Sequence, residues 1–100
     1  MNTYIIRRRN AWKNAQELET TAALSLRIGN DDMADRIRWI RSYVVQEADG
    51  TLGTVCVYQV TDADAIQEHA RRVGIPATEI TGVADTVVIR KDPAETEKAA

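Results

Sequence analysis

Trp39-Ile40-Arg41-Ser42-Tyr43-Val44, followed by Val55-Cys56-Val57-Tyr58 and by Asp64-Ala65-Ile66-Gln67-Glu68-His69-Ala70-Arg71-Arg72 with Gly74-Ile75-Pro76, decides the fold. The first two runs are rich in β-branched and aromatic residues, the composition of strands. They read as strands over Ile37 to Val45 and Val55 to Val60, with Asp49-Gly50 and Gly53 supplying the turn of a hairpin. The third run is a helix. Asp62, or Thr61 with Asp64, caps its start, Gly74 and Pro76 end it, and Ala63, Ile66, Ala70 and Val73 form its buried stripe. His69, the chain's one histidine, falls beside that stripe on a helical projection.

Successive strand side chains point to opposite faces. Ile40 and Val44 therefore share one face and Trp39, Arg41 and Tyr43 the other, while Val55 and Val57 oppose Cys56 and Tyr58. The aliphatic set suits a side covered by helices. The mixed aromatic and polar set suits a face covered by a partner subunit or a ligand. A β-bulge in either strand would invert part of this assignment.

Toward the N-terminus, Thr3-Tyr4-Ile5-Ile6 reads as an opening strand and Arg7-Arg8-Arg9 as its solvated end. Asn14 with Glu17 matches a helix capping box, Asn10 being a competing start. Ala11, Ala15, Leu18, Ala22 and Leu26 then recur at helical spacing as a stripe facing the sheet, and Gly29 reads as the helix end. Asn30 to Asp35 is acidic but lacks the alternating ligand spacing of a calcium loop, and reads as a connector. After Pro76, Ile80 to Ile89 forms a final strand. Residues 1–93 then make a single domain and 94–100 a flexible C-terminal tail.

The order strand, helix, strand, strand, helix, strand is that of the ferredoxin-like βαββαβ arrangement. This is an α+β fold in which two helices cover one face of a four-stranded antiparallel sheet. The uncovered face implies a sheet-to-sheet homodimer, which also suits a chain of only 100 residues.

Composition excludes several classes of function. Hydrophobic residues make up 44% and charged residues 28%, as in a folded globular chain, and a net charge of -2 offers no global field for nucleic acid. No apolar run approaches the ~20 residues of a membrane span, and no signal-peptide core stands at the N-terminus, so a cytoplasmic location is expected. A single cysteine, Cys56, excludes an intrachain disulfide and reads as a buried thiol between valines.

Trp39-Ile40-Arg41-Ser42-Tyr43-Val44, Cys56-Val57-Tyr58, the Ala65 to Arg72 helix with Gly74-Ile75-Pro76-Ala77, and Asp92-Pro93 stand in the order and spacing of a known family. The chain resembles a bacterial domain-of-unknown-function family of small ferredoxin-like proteins that includes nickel-binding members. That resemblance implies a homodimer and, as cofactor, nickel or another divalent transition metal. Arg41 stands where, by that resemblance, relatives can carry histidine, which places a cation on that face. The metal-ligand candidates are His69 and Cys56, one of each per subunit, so a dimer would have to pool them. The neighbours of His69 at helical spacing are Ala65, Ile66, Arg72 and Val73, none of them a metal ligand.

The ligand-binding candidates are Trp39, Arg41, Tyr43, Tyr58 and His69. The leading expectation is a soluble homodimer that binds a metal ion or a small molecule. A second is a cofactor-free dimeric α/β-barrel enzyme, with Tyr43, Tyr58, Arg41 and His69 as donor, anion clamp and general base around a small organic molecule. No nucleophile-and-base spacing, phosphate loop or paired carboxylates accompany them. A third is a structural or regulatory dimer without a ligand.

Overall fold

The structure, a computed structural model, describes residues 1–91. The expected domain boundary at 93 and the tail 94–100 lie outside the described residues. Strand β1 spans Asn2–Trp12, helix α1 Ala15–Arg27, β2 Ile37–Gln46, β3 Leu52–Val60, helix α2 Ala63–Val73 and β4 Glu79–Gly82. The sheet order is β2-β3-β1-β4, with every pairing antiparallel. This order and the two helices make an α+β fold of the ferredoxin-like kind. No helix among the described residues is long and apolar enough to cross a membrane.

The helix boundaries follow from their caps. Asn14 Oδ1 accepts from Glu17 N at 2.9 Å and Asp62 Oδ1 from Ala65 N at 3.0 Å, each satisfying a backbone donor that the helix leaves unpaired. At the end of α2, Gly74 adopts φ 84°, the left-handed conformation that glycine reaches without a Cβ clash. Gly29 does not play that role. The helical path continues past α1 as a π-helical turn, Ile28–Asp32, closed by Met33 N donating to Ile28 O at 3.1 Å.

The stripe of α1 is rotated from the expected one. Ala11 belongs to β1 and Ala15 and Leu26 are exposed, whereas Leu18, Thr21, Ala22, Ser25 and Ile28 turn toward the sheet. Small alanines exert little hydrophobic pull on helix orientation. The indole N–H of buried Trp12 instead donates to Thr21 Oγ1 at 3.0 Å and fixes the rotation. In α2, Ala63 is exposed, and Ala65 and His69 join Ile66, Ala70 and Val73 in the core.

A bulge in β2 overturns the face assignment. Trp39 pairs with Tyr58 but Arg41 pairs with Val57, so Ile40 is the extra residue and the strand changes phase there. Trp39 consequently lies on the helix side, separated from Arg41 and Tyr43. Ile40, expected under the helices, is 45% exposed. In β3 the buried set is Thr54, Cys56, Tyr58 and Val60, while Val55 and Val57 face the open side. Valine favours strands whichever face it occupies, and the polar atoms of the inner set find partners inside, so an aliphatic run does not mark the core here.

Two strands differ in length from expectation. β1 continues through Arg7, Arg8 and Arg9 to Trp12, with Arg9, Asn10 and Ala11 bulging opposite Gly53 alone and Asn10 at φ 49°. β4 covers only Glu79 to Gly82. Its pairing runs from Arg7↔Glu79 to Tyr4↔Gly82, so later residues meet the start of β1 and the ladder ends. Val87, Val88 and Ile89 are 80%, 72% and 84% exposed.

Gly53 is where β1, β3 and the hairpin turn converge. A Cβ there would lie 2.5 Å from both Arg8 O and Glu47 Oε2. Gly53→Ala should lower stability by about 1–3 kcal/mol, the usual cost of overpacking, read as a lower urea midpoint. An unchanged midpoint would show that the three segments part easily.

Candidate functional site

Between α1 and the helix side of the sheet lies a chamber of about 390 Å³. Leu18, Ala22 and Ser25 from α1 form its roof, Trp39 and Tyr58 part of its floor, and Arg8 and Trp12 its β1 side. Its aromatic wall is ordered. Trp39 stacks on Tyr58 with ring centroids 6.2 Å apart and planes 27° apart, and its indole N–H donates to Ser42 Oγ at 2.7 Å. Tyr58 in turn meets the His69 ring at 5.7 Å. Burial pushes the Tyr58 phenol up to about 12, with Cys56 adding to the shift and Arg8 opposing it, so the hydroxyl stays protonated across the physiological range.

His69 is 2% exposed, and its Nε2 lies 3.1 Å from Ser25 O and 3.4 Å from Ser25 Oγ. A carbonyl only accepts, so Nε2 carries the proton in this arrangement. Cys56 is buried as expected; its thiol contacts Thr54 Oγ1 at 3.3 Å and receives an N–H from Arg8 NH1 at 3.3 Å. The chamber side thus unites Trp39, Cys56, Tyr58 and His69. Arg41 and Tyr43 stand exposed on the opposite strand face, across from Val57 and Val55, and Arg41, on the edge strand, also borders the rim of the chamber. The donor, anion clamp and base invoked for a sheet-face enzyme are therefore divided between two faces.

The residue that sequence reasoning missed is Arg8. Its neighbours in the basic run have carboxylate partners: Arg7 NH2 pairs with the half-buried Glu47 at 2.9 Å and Arg9 Nε with the exposed Glu79 at 2.8 Å. Arg8 turns inward and is 2% exposed. Its Nε donates to Pro76 O at 2.7 Å and its NH1 to Cys56, while its NH2 has no hydrogen-bond partner. Among the described residues Arg8 forms no ion pair. A period-two reading of β1 carries the signal: Tyr4, Ile6 and Arg8 share one face, and Ile6 on that face is fully buried.

The chamber does not fit a nickel ion. Among the described residues no three of His, Cys, Asp and Glu come together as metal ligands. Ser25 occupies His69 Nε2, and the Arg8 guanidinium faces Cys56, so a cation between them would meet a buried positive charge.

The profile of a family described as "Nickel responsive protein SCO4226-like" matches residues 4–83. Among solved structures, the crystal structure of SCO4226 from Streptomyces coelicolor A3(2) superposes with a TM-score of 0.67 at 19% identity, covering 85% of this chain and 99% of that one. That likeness concerns the fold. No curated protein matches the chain.

His69 gives the site a pH signature. Burial lowers its pKa below the usual 6.5; the bond to the Ser25 carbonyl opposes the shift and Arg8 adds to it. The unfolded chain takes up a proton near pH ~6.5 while the folded chain stays neutral. Stability should therefore be flat above that pH and fall as pH drops toward the depressed folded value. Glu47 and Glu68 are held below the carboxylate range, Glu47 by the Asn10 N–H and then Arg7, Glu68 by Arg36, so their contributions fade only at more acidic pH. In urea unfolding followed against pH, His69→Gln should lack the first fall and keep the second; an unaltered first fall would assign it to another group.

Proposed function

Because the chain belongs to the SCO4226-like family of nickel-responsive proteins, we propose that it is a small homodimeric ligand-binding protein that holds its ligand in the chamber beneath α1 and pairs its subunits through the open sheet face. The chamber carries this reading. The chamber is a half-open cleft with a mostly apolar lining, and a bound molecule would remove that apolar surface from water. About 390 Å³ in a 100-residue chain lies within the ~300–1,000 Å³ of small-molecule sites. The lining has the matching character, an apolar and aromatic wall with a few polar groups.

The open face supports the homodimer. Ile5 and Tyr43 are 36% and 51% exposed, and with Val57, Val87 and Ile89 they line one broad cleft. Exposed aliphatic and tyrosine side chains bordered by charged ones such as Arg41, Asp85 and Lys91 have the composition of an apolar interface core with a polar rim. A second copy related by a two-fold axis would present the same residues in return.

The family's description also supports a nickel-linked reading, for which His69 and Cys56 remain the ligand candidates. Both are nearly inaccessible and engaged by Ser25 and Arg8, so metal binding there requires the chamber to open or a second subunit to supply further ligands. The chamber as built favours an organic ligand.

Benzyl alcohol at millimolar concentration, used as a neutral aromatic probe, should raise the wild-type Tm, and Ala22→Phe, which narrows the roof, should remove that rise. A wild-type Tm that ignores the probe would count against a ligand chamber. In light scattering the wild type should weigh twice its 11.1 kDa chain. Tyr43→Glu should yield monomer or aggregate, and an unchanged dimer mass would place the interface elsewhere.

A further inference from the structure

We propose that the chamber is a carboxylate site, in which the Arg8 guanidinium anchors the acid group of a small molecule whose flat apolar body lies against Trp39 and Tyr58. This rests on the chamber reading above and specifies its ligand. Arg8 is 2% exposed and without an ion pair among the described residues, and its NH2 donors are unused. An isolated buried cation costs several kcal/mol even after relaxation, and removing an apolar wall's water deepens that cost. The groups Arg8 meets, the Pro76 carbonyl, the Cys56 thiol and the Tyr58 hydroxyl, are all neutral, and none supplies negative charge. Its flanking arginines both hold carboxylates, so the sequence does provide counter-charges to this strand, yet none reaches the inward position. The missing counter-charge is accounted for by a ligand.

The chemistry of that ligand follows from the rest of the lining. One guanidinium edge matches a carboxylate in charge and geometry. A phosphate dianion would need more donors than Arg8 offers, and the other polar groups nearby, Ser25, Thr54 and Tyr58, are neutral hydroxyls. Tyr58 keeps its proton, so it presents a donor and not a competing anion. Behind the charge, Trp39 stacked on Tyr58, with Trp12, Leu18 and Ile75 close by, favours an aromatic or otherwise flat body. Glu19 and Arg41 stand exposed at the edge of the lining and leave the interior charge of the chamber to Arg8.

Calorimetry and tryptophan fluorescence with benzoate, benzyl alcohol and phenyl phosphate test the assignment on the full chain. Benzoate should bind saturably, once per subunit, with benzyl alcohol at least about tenfold weaker, the loss of one charge-assisted hydrogen bond. Arg8→Met should abolish that preference while leaving the binding of benzyl alcohol in place. The ¹⁵N resonances of the wild-type Arg8 side chain should shift on adding benzoate, a readout that stands even if Arg8→Met does not fold. Equal affinity of the wild type for benzoate and benzyl alcohol, or silent Arg8 resonances, would overturn the carboxylate assignment and leave the chamber reading standing. Tighter binding of phenyl phosphate than of benzoate would likewise overturn it. Failure of all three probes to bind would instead remove the chamber reading on which it rests.

Discussion

The single extra residue in β2 governs what this molecule can do. Because Trp39 faces Tyr58 across the ladder while Arg41 faces Val57, the strand delivers Trp39 to the helix side and Arg41 and Tyr43 to the other. Without that phase change the large aromatics and the cations would share one surface. With it, the inner side acquires the stacked Trp39 and Tyr58 rings that floor the chamber, and the outer side keeps an apolar face bordered by Arg41 and Tyr43. Chamber and open face are thus two products of one bulge.

The electrostatics of the inner side favour an anion over a cation. Its buried charged group is Arg8, its histidine is driven toward the neutral form by burial, and its tyrosine keeps its proton. A transition-metal centre needs deprotonated sulfur or free imidazole nitrogen at close quarters, and here the Cys56 sulfur takes an N–H from a guanidinium while the His69 Nε2 bonds to a carbonyl. Membership of a nickel-responsive family and the donor set of this chain therefore point in different directions.

The element order, both helix caps, the Gly74 stop and the hairpin were legible in the sequence because each rests on local chemistry that a few adjacent residues carry. The faces of the strands were not, since a bulge is one residue of slippage with no side-chain signature of its own and it reverses everything beyond it. The end of β4 was equally hidden: Val83, Val87, Val88 and Ile89 have strand character, but the partner strand runs out. Among the site residues, Trp39, Tyr58, Cys56 and His69 could be named because rare residue types draw the eye. Arg8 was masked by standing in a run of identical residues, where composition suggests a solvated patch and only alternation separates the middle member from its neighbours.

That run has a consequence for how the chain finds its native pairing. Sliding β1 by one residue against β3 would normally be punished by burying the wrong side chain. Here a slip of one position in either direction replaces Arg8 with another arginine, so the inward slot would still be filled and its charge unchanged. Correct alignment must be enforced by something other than the arginines. Gly53 and the Asn10 bulge supply it, the first by tolerating the Arg8 carbonyl at a distance that any other residue would forbid, the second by hooking its amide to Asp49 and Thr51 at 3.1 Å. Together with the fully buried Ile6 slot, which a one-residue slip would hand to Ile5 or Arg7, these two positions hold β1 in its register.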